Sequence, residues 1–207
     1  FFAGQVEAGG QSWYGLGPKY ATGGHQPTVA AGDLSVPGLA SSGGGQSVAF
    51  GGNGDDARLN LSVGPGGISS GTVYYSFALQ LTDLTGLTSG GTWWAGFNNV
   101  QSINAGTSRA NTVVTRVMTR SAAGGYNIGL QEGSTGSSFN TAWDSTVYTT
   151  SDTVLVVGSY TFNPSTGDDV SQLWVNPDSS TFGAGADPGG SLSSSGGSDI
   201  ARIASFI

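Results

Sequence analysis

The chain contains no cysteine and a single histidine in 207 residues. The first absence removes disulfides, thiolate nucleophiles and sulfur-ligated metals, and with one histidine a zinc cluster would have to be completed by carboxylates. Charge is scarce as well. Asp, Glu, Lys and Arg make up 9 % of the residues, against about a quarter in ordinary globular proteins. Six basic residues stand against thirteen acidic ones, a net charge of −7, so the phosphate-neutralising surface that nucleic-acid binding needs is missing. No stretch approaches the roughly 20 apolar residues required to span a bilayer. No basic segment followed by an apolar run is present, and the opening Phe1-Phe2 reads as a mature or excised form.

What is abundant is glycine, 37 residues, set around short runs of bulky residues that alternate. From Thr72 to Thr82 the odd positions Val73, Tyr75, Phe77, Leu79 and Leu81 share one face, and Tyr74, Ser76, Ala78 and Gln80 share the other. Period-two alternation between Gly, Ser, Asn and Asp clusters predicts half-buried strands joined by tight turns. Strands are expected at 28–31, 33–36, 47–50, 57–63, 72–82, 92–98, 111–120, 126–131, 153–162, 170–176 and 200–207. Run 154–162 is apolar on both faces and is expected to be central, 184–198 has the composition of a linker, and no window reads as a helix. The length suits one all-β domain spanning residues 1–207.

The stretch Val156 to Phe182, with Gly51-Gly-Asn-Gly-Asp-Asp56, the aromatic strand Val73 to Leu81 and Arg120 to Leu130, resembles LamG-like jelly-roll domains of the concanavalin A-like lectin and glucanase superfamily. These occur in secreted proteins of environmental bacteria. The resemblance implies an antiparallel jelly-roll β-sandwich of two curved sheets. It implies sugar or protein partners met on the concave face or the connecting loops, one bound calcium, and a secreted or cell-surface bacterial protein. It implies no activity, because the superfamily holds lectins, adhesion modules, glycosidases, lyases and structural domains.

Catalytic patterns are sparse. A retaining glycosidase needs two carboxylates about 5 Å apart, which alternate residues of one strand supply; Glu7 and Glu132 are the only glutamates, and neither has a carboxylate two or four residues away. Gly67-Ile-Ser-Ser-Gly71 matches the serine nucleophile elbow in form, but a strand follows where the elbow needs a helix. His25 lies in a Gly-rich loop sequence. The Asp55-Asp56 and Asp168-Asp169 pairs, each after a glycine, offer oxygen ligands suited to calcium, although Asp after Gly also caps turns through its own side chain, which is the favoured reading here.

Aromatic rings are the other candidates, since a flat ring stacks on the apolar face of a sugar. Trp93 and Trp94 are adjacent in a strand, so one must turn away from the core. Tyr126, Trp143 and Tyr74 are expected to join it, with Arg116, Arg120, Gln131 and Gln172 as hydrogen-bond donors; Trp174 is weighed as core. The expectation is a non-catalytic extracellular module for carbohydrate binding or cell-surface recognition, its partner a polysaccharide or glycan. The alternative is a structural subunit of an extracellular sheath or filament that pairs with copies of itself, and the third reading is a polysaccharide lyase or glycoside hydrolase. The terminal apolar runs are expected to close the chain's own sandwich rather than a neighbour's.

Overall fold

Alternation and turn chemistry fold this chain into antiparallel strands. The computed structural model describes residues 5–6, 12–16, 27–40, 45–51, 56–61, 66–101, 112–133, 140–195 and 199–207. In chain order the strands are β1 (Gln5–Val6), β2 (Ser12–Leu16), β3 (Thr28–Ala31), β4 (Gln46–Ala49), β5 (Asp56–Asn60), β6 (Gly71–Leu79) and β7 (Thr92–Asn98). They continue with β8 (Val113–Ala122), β9 (Gly125–Gln131), β10 (Thr141–Trp143), β11 (Val154–Phe162), β12 (Val170–Val175), β13 (Leu192–Ser195) and β14 (Ser205–Phe206). One turn of 3-10 helix, Ser179–Thr181, is the only helical element among the described residues.

Two sheets form a sandwich. The larger runs β1-β2-β5-β14-β7-β8-β9-β10, the smaller β13-β12-β11-β6, and β3 pairs with β4 alone. In β6 the predicted face is the buried one: Val73, Tyr75, Phe77 and Leu79 join the core. Tyr75 and Phe77 meet Phe97 of β7 and Phe206 of β14 at ring-centroid distances of 5.0 to 6.0 Å. Val154, Val156, Tyr160 and Leu173 close against Val114, Val117, Tyr126, Ile128 and Leu130. Each such side chain contributes roughly 1.5–3 kcal/mol on burial. Strand β11 lies between β6 and β12, the central position its two apolar faces predict.

The C-terminal run closes within the chain. Ser205 and Phe206 pair with β5 on one side and β7 on the other, Ile203 bridges Ile68, and Ile200, Ile203 and Ile207 are buried. Phe1 and Phe2 lie outside the described residues. Two expectations need correction. Residues 33–36 form no strand but lie in the loop that follows β3. Within 184–198, Leu192–Ser195 is not linker but edge strand β13, because its backbone groups pair with β12 from Val170 to Leu173.

Strands β7 and β8 are not regular, and this positions the site. Between Ala95 and Phe97 of β7, strand β8 runs from Val117 to Val114, one residue more; between Trp93 and Ala95 the extra residue is on β7. The β8 bulge centres on Thr115, which adopts φ 51°, a strained region for a β-branched residue. Buried partners hold it there. The Tyr75 hydroxyl donates to the Thr115 carbonyl at 2.7 Å, and Thr115 Oγ1 meets Ser171 Oγ of the facing sheet at 2.9 Å.

The sheets end unequally. Strands β1, β13 and β10 are two, four and three residues long, whereas β6 offers a nine-residue edge with neither charge nor proline. Short or charged edge strands are the usual protection against unwanted pairing.

Candidate functional site

The two bulges re-aim side chains, as bulges commonly do beside functional sites. Val114 and Thr115 both point inward, so Arg116, Met118 and Arg120 emerge on the outer face of the larger sheet. On β7, Trp93 turns outward while Trp94 and Ala95 both turn inward. Residues directly opposite across strands share a face, and the register sets Trp93 opposite Met118, Met118 opposite Gly129 and Gly129 opposite Trp143. One row therefore crosses four strands with a tryptophan at each end. On one side of it lie Arg116, Gln131 and Thr141; on the other, Arg120 and Asn127.

These side chains form two linked groups. Arg120 sets its guanidinium carbon 4.4 Å from the Trp143 ring centroid and donates from Nε to Asn127 Oδ1 at 3.2 Å. Asn127 in turn donates from Nδ2 to the Thr146 carbonyl at 2.7 Å. Arg116 lies 5.4 Å from the Trp93 ring centroid, donates from Nε to the Val113 carbonyl at 3.0 Å and from Nη1 to Gln131 Oε1 at 3.2 Å. Gln131 Nε2 passes the chain on to Thr141 Oγ1 at 3.1 Å. Burial lowers the Arg116 guanidinium below its ordinary value, yet arginine stays charged. Two glycines make room for the Trp143 indole: a Cβ on Gly129 would stand 2.6 Å from its Cε3, and one on Gly91 2.8 Å from its Cη2.

Five of the nine candidate ligand-binding residues, Trp93, Trp143, Arg116, Arg120 and Gln131, thus share one surface. Two others face inward, toward the core. Tyr126 is fully buried in the core, since its position opposite Ser121 faces it inward. Trp94 packs on Phe77 at 5.5 Å because the β7 bulge turns it in. Tyr74 and Gln172 lie on the opposite side of the molecule, the outer face of the smaller sheet. There Tyr74 donates to Asp187 Oδ1 at 3.2 Å and Gln172 to Ser191 Oγ at 3.2 Å. Residues 33–40 cross the same face and leave a cavity of about 250 Å³ against Ser76, Ala78 and Leu155. Asn127, Gly129 and Gly91 were not anticipated; alternation from Tyr126 points to Asn127 and Gly129, but nothing local points to Gly91.

The Asp168-Asp169 pair gains a partner from 30 residues away, Asp199, and the three carboxylates approach within 4.8 Å. Asp169 accepts from the Tyr160 hydroxyl at 2.5 Å and from Asn163 N at 2.7 Å. Asp199 accepts from Gly167 N and Asp169 N, and Asp168 Oδ2 from Ser165 N. Each therefore fastens loop backbone, the turn role that Asp after Gly suggests. All the donors are oxygens, the set a hard cation such as calcium takes. Asp55 and the Asp56 side chain lie outside the described residues, as do His25 and Glu7. Ser69 of the elbow-like motif precedes strand β6 with no helix after it. No helix among the described residues is long and apolar enough to cross a membrane. No family model, no curated protein and no solved structure matches the chain.

Proposed function

We infer that the chain is a non-catalytic recognition module that binds polysaccharide or glycan on the outer face of its larger sheet. The observation that carries this reading is the four-strand row ending in Trp93 and Trp143, with Arg116, Arg120, Asn127 and Gln131 beside it. Partly exposed rings flanked by amide and guanidinium donors are the combination that sugars require: an apolar platform and fixed hydrogen-bond partners. The low charge of the chain and its two-sheet antiparallel build agree with a LamG-like jelly roll working outside a bacterial cell. A cation belongs to this reading only as calcium at Asp168, Asp169 and Asp199, and a melting temperature unmoved by chelator removes it. The reading as a whole is tested on a glycan array with the wild type and with Trp93→Ala and Trp143→Ala. Glycan retention lost in either variant with melting preserved supports it, and no retained glycan overturns it.

The outer edge of β6, to which no second strand pairs among the described residues, favours a second reading, a subunit of an extracellular sheath or filament. A nine-residue edge strand, uncharged and free of proline, suits strand addition by another copy. Light scattering across a concentration series separates the two readings: a particle of constant monomer mass leaves the filament without support.

A further inference from the structure

The geometry points to an anionic ligand, a carboxylate- or sulfate-bearing polysaccharide, held by the Arg120 guanidinium; this rests on the glycan-binding reading above. Arg120 occupies one face of the Trp143 indole at 4.4 Å, so a neutral sugar cannot use that face without displacing it. What the arrangement presents instead is a positioned cation. The Asn127 orientation is fixed from behind, because Nδ2 donates to the Thr146 carbonyl and Oδ1 must then face Arg120 Nε. Stacking and that single hydrogen bond hold the guanidinium plane, while neither of its Nη groups makes a hydrogen bond among the described residues. Four N–H donors in a planar fork match a carboxylate or sulfate in bidentate fashion.

No ion pair engages the Arg120 guanidinium among the described residues. The nearest acid in sequence to the ring, Asp144, is turned to the Tyr148 hydroxyl at 2.8 Å and to Thr146 N and Oγ1 at 3.1 Å. The chain has six basic residues; Arg58 is fully buried, and Arg116 and Arg120 come to the same face. Four residues apart on β8, these two lie about 13 Å apart along the strand, too far for one small ion to meet both but within the span of an extended polymer.

The test compares four soluble polymers in chelator-containing buffer by affinity electrophoresis: polygalacturonate and its methyl ester, dextran sulfate and dextran. Binding of either charged polymer at least about tenfold tighter than its neutral counterpart is expected, as is a loss of at least about tenfold in Arg120→Gln, the scale of one charge-assisted contact. Arg120→Lys, which keeps the charge without the fork, should fall between. Should the neutral polymers bind as well as the charged ones, or Arg120→Gln bind polyanion unchanged, the anionic inference fails while the glycan reading stands. If none of the four binds and the glycan array is also empty, both fail. Preference for polygalacturonate over dextran sulfate, or the reverse, identifies the anion.

Discussion

Both sheets carry tryptophan on their outer faces, but they cover it by different means. On the smaller sheet Trp174 is 2 % exposed, sealed by the loop after β12, whose Pro188 carbonyl accepts the indole N–H at 2.6 Å. On the larger sheet Trp93 and Trp143 remain partly exposed, each with an arginine over its ring. A backbone roof satisfies the indole and brings nothing to solvent. A guanidinium roof brings donors of its own. Trp174 is therefore a structural residue on an outer face, and Trp143 is part of a surface that still has bonds to make.

The largest expected effect tests the first half of that contrast. Trp174→Ala should cost about 3–5 kcal/mol, the range for a buried tryptophan, read as a lowered urea midpoint, whereas Trp143→Ala should cost far less and remove glycan retention. Equal destabilisation by the two would erase the distinction. Next comes Gly129→Ala, whose methyl would press on Trp143 Cε3 at 2.6 Å and the Ala142 carbonyl at 2.9 Å. Overpacking of this kind costs about 1–3 kcal/mol, and a shifted tryptophan fluorescence maximum with weakened binding would show that the ring, not the fold, had moved. Tyr75→Phe, a change in the core, should cost about 1–3 kcal/mol by leaving the buried Thr115 carbonyl without its donor. By loosening the bulge it should also weaken polyanion binding on the far side of the sheet; unchanged affinity would break that link.

The smallest effect is one of pH. Asp178 caps the 3-10 turn of the smaller sheet's roof by accepting from Ser180 N, and that bond holds its carboxyl below the ordinary 3.8. Asp83 and Asp152 are lowered in the same way by Thr85 and Thr149. Groups lowered in the folded state contribute stability above their unfolded value and lose it as pH falls through the folded one. Melting temperature should therefore decline modestly below pH 3.8. The loss should begin in the roof of the smaller sheet, where the Asp178 cap lets go of Ser180 N.

Much of this was legible in the chain because period two survives wherever a strand is regular. Val73 to Leu79 reads correctly, and adjacent Trp93 and Trp94 require that one face outward. Which one does so was not legible, since the bulge that decides it depends on pairing between strands. The same holds for Arg116 and Arg120, whose outward aim follows from an inward Thr115 stabilised by Tyr75 and Ser171, 40 and 56 residues away. Tyr126 was misjudged because alternation gives two faces without saying which is the core. Strand β13 was hidden in serine and glycine, residues with little strand preference of their own, and Asp199 joined Asp168 and Asp169 only through the fold. The Trp143 strand is three residues long, too short for any period to show.

The paired irregularities in β7 and β8 set the phase of everything after them. From Asn98 to Thr92 and from Val113 to Thr119 the two strands advance by equal lengths, the surplus at Thr115 on one offset by the surplus at Trp94 on the other. Straightening of β8 at Thr115, with no residue removed, would drive Arg116, Met118 and Arg120 toward the core and Val117 and Thr119 toward water. Loss of Thr115 together with Trp94 would restore an unbroken ladder with each remaining side chain on its present face. Either surplus residue could be shed, singly or with the other, without turning the outer row inward, so it is the bulge rather than the strand length that aims these side chains.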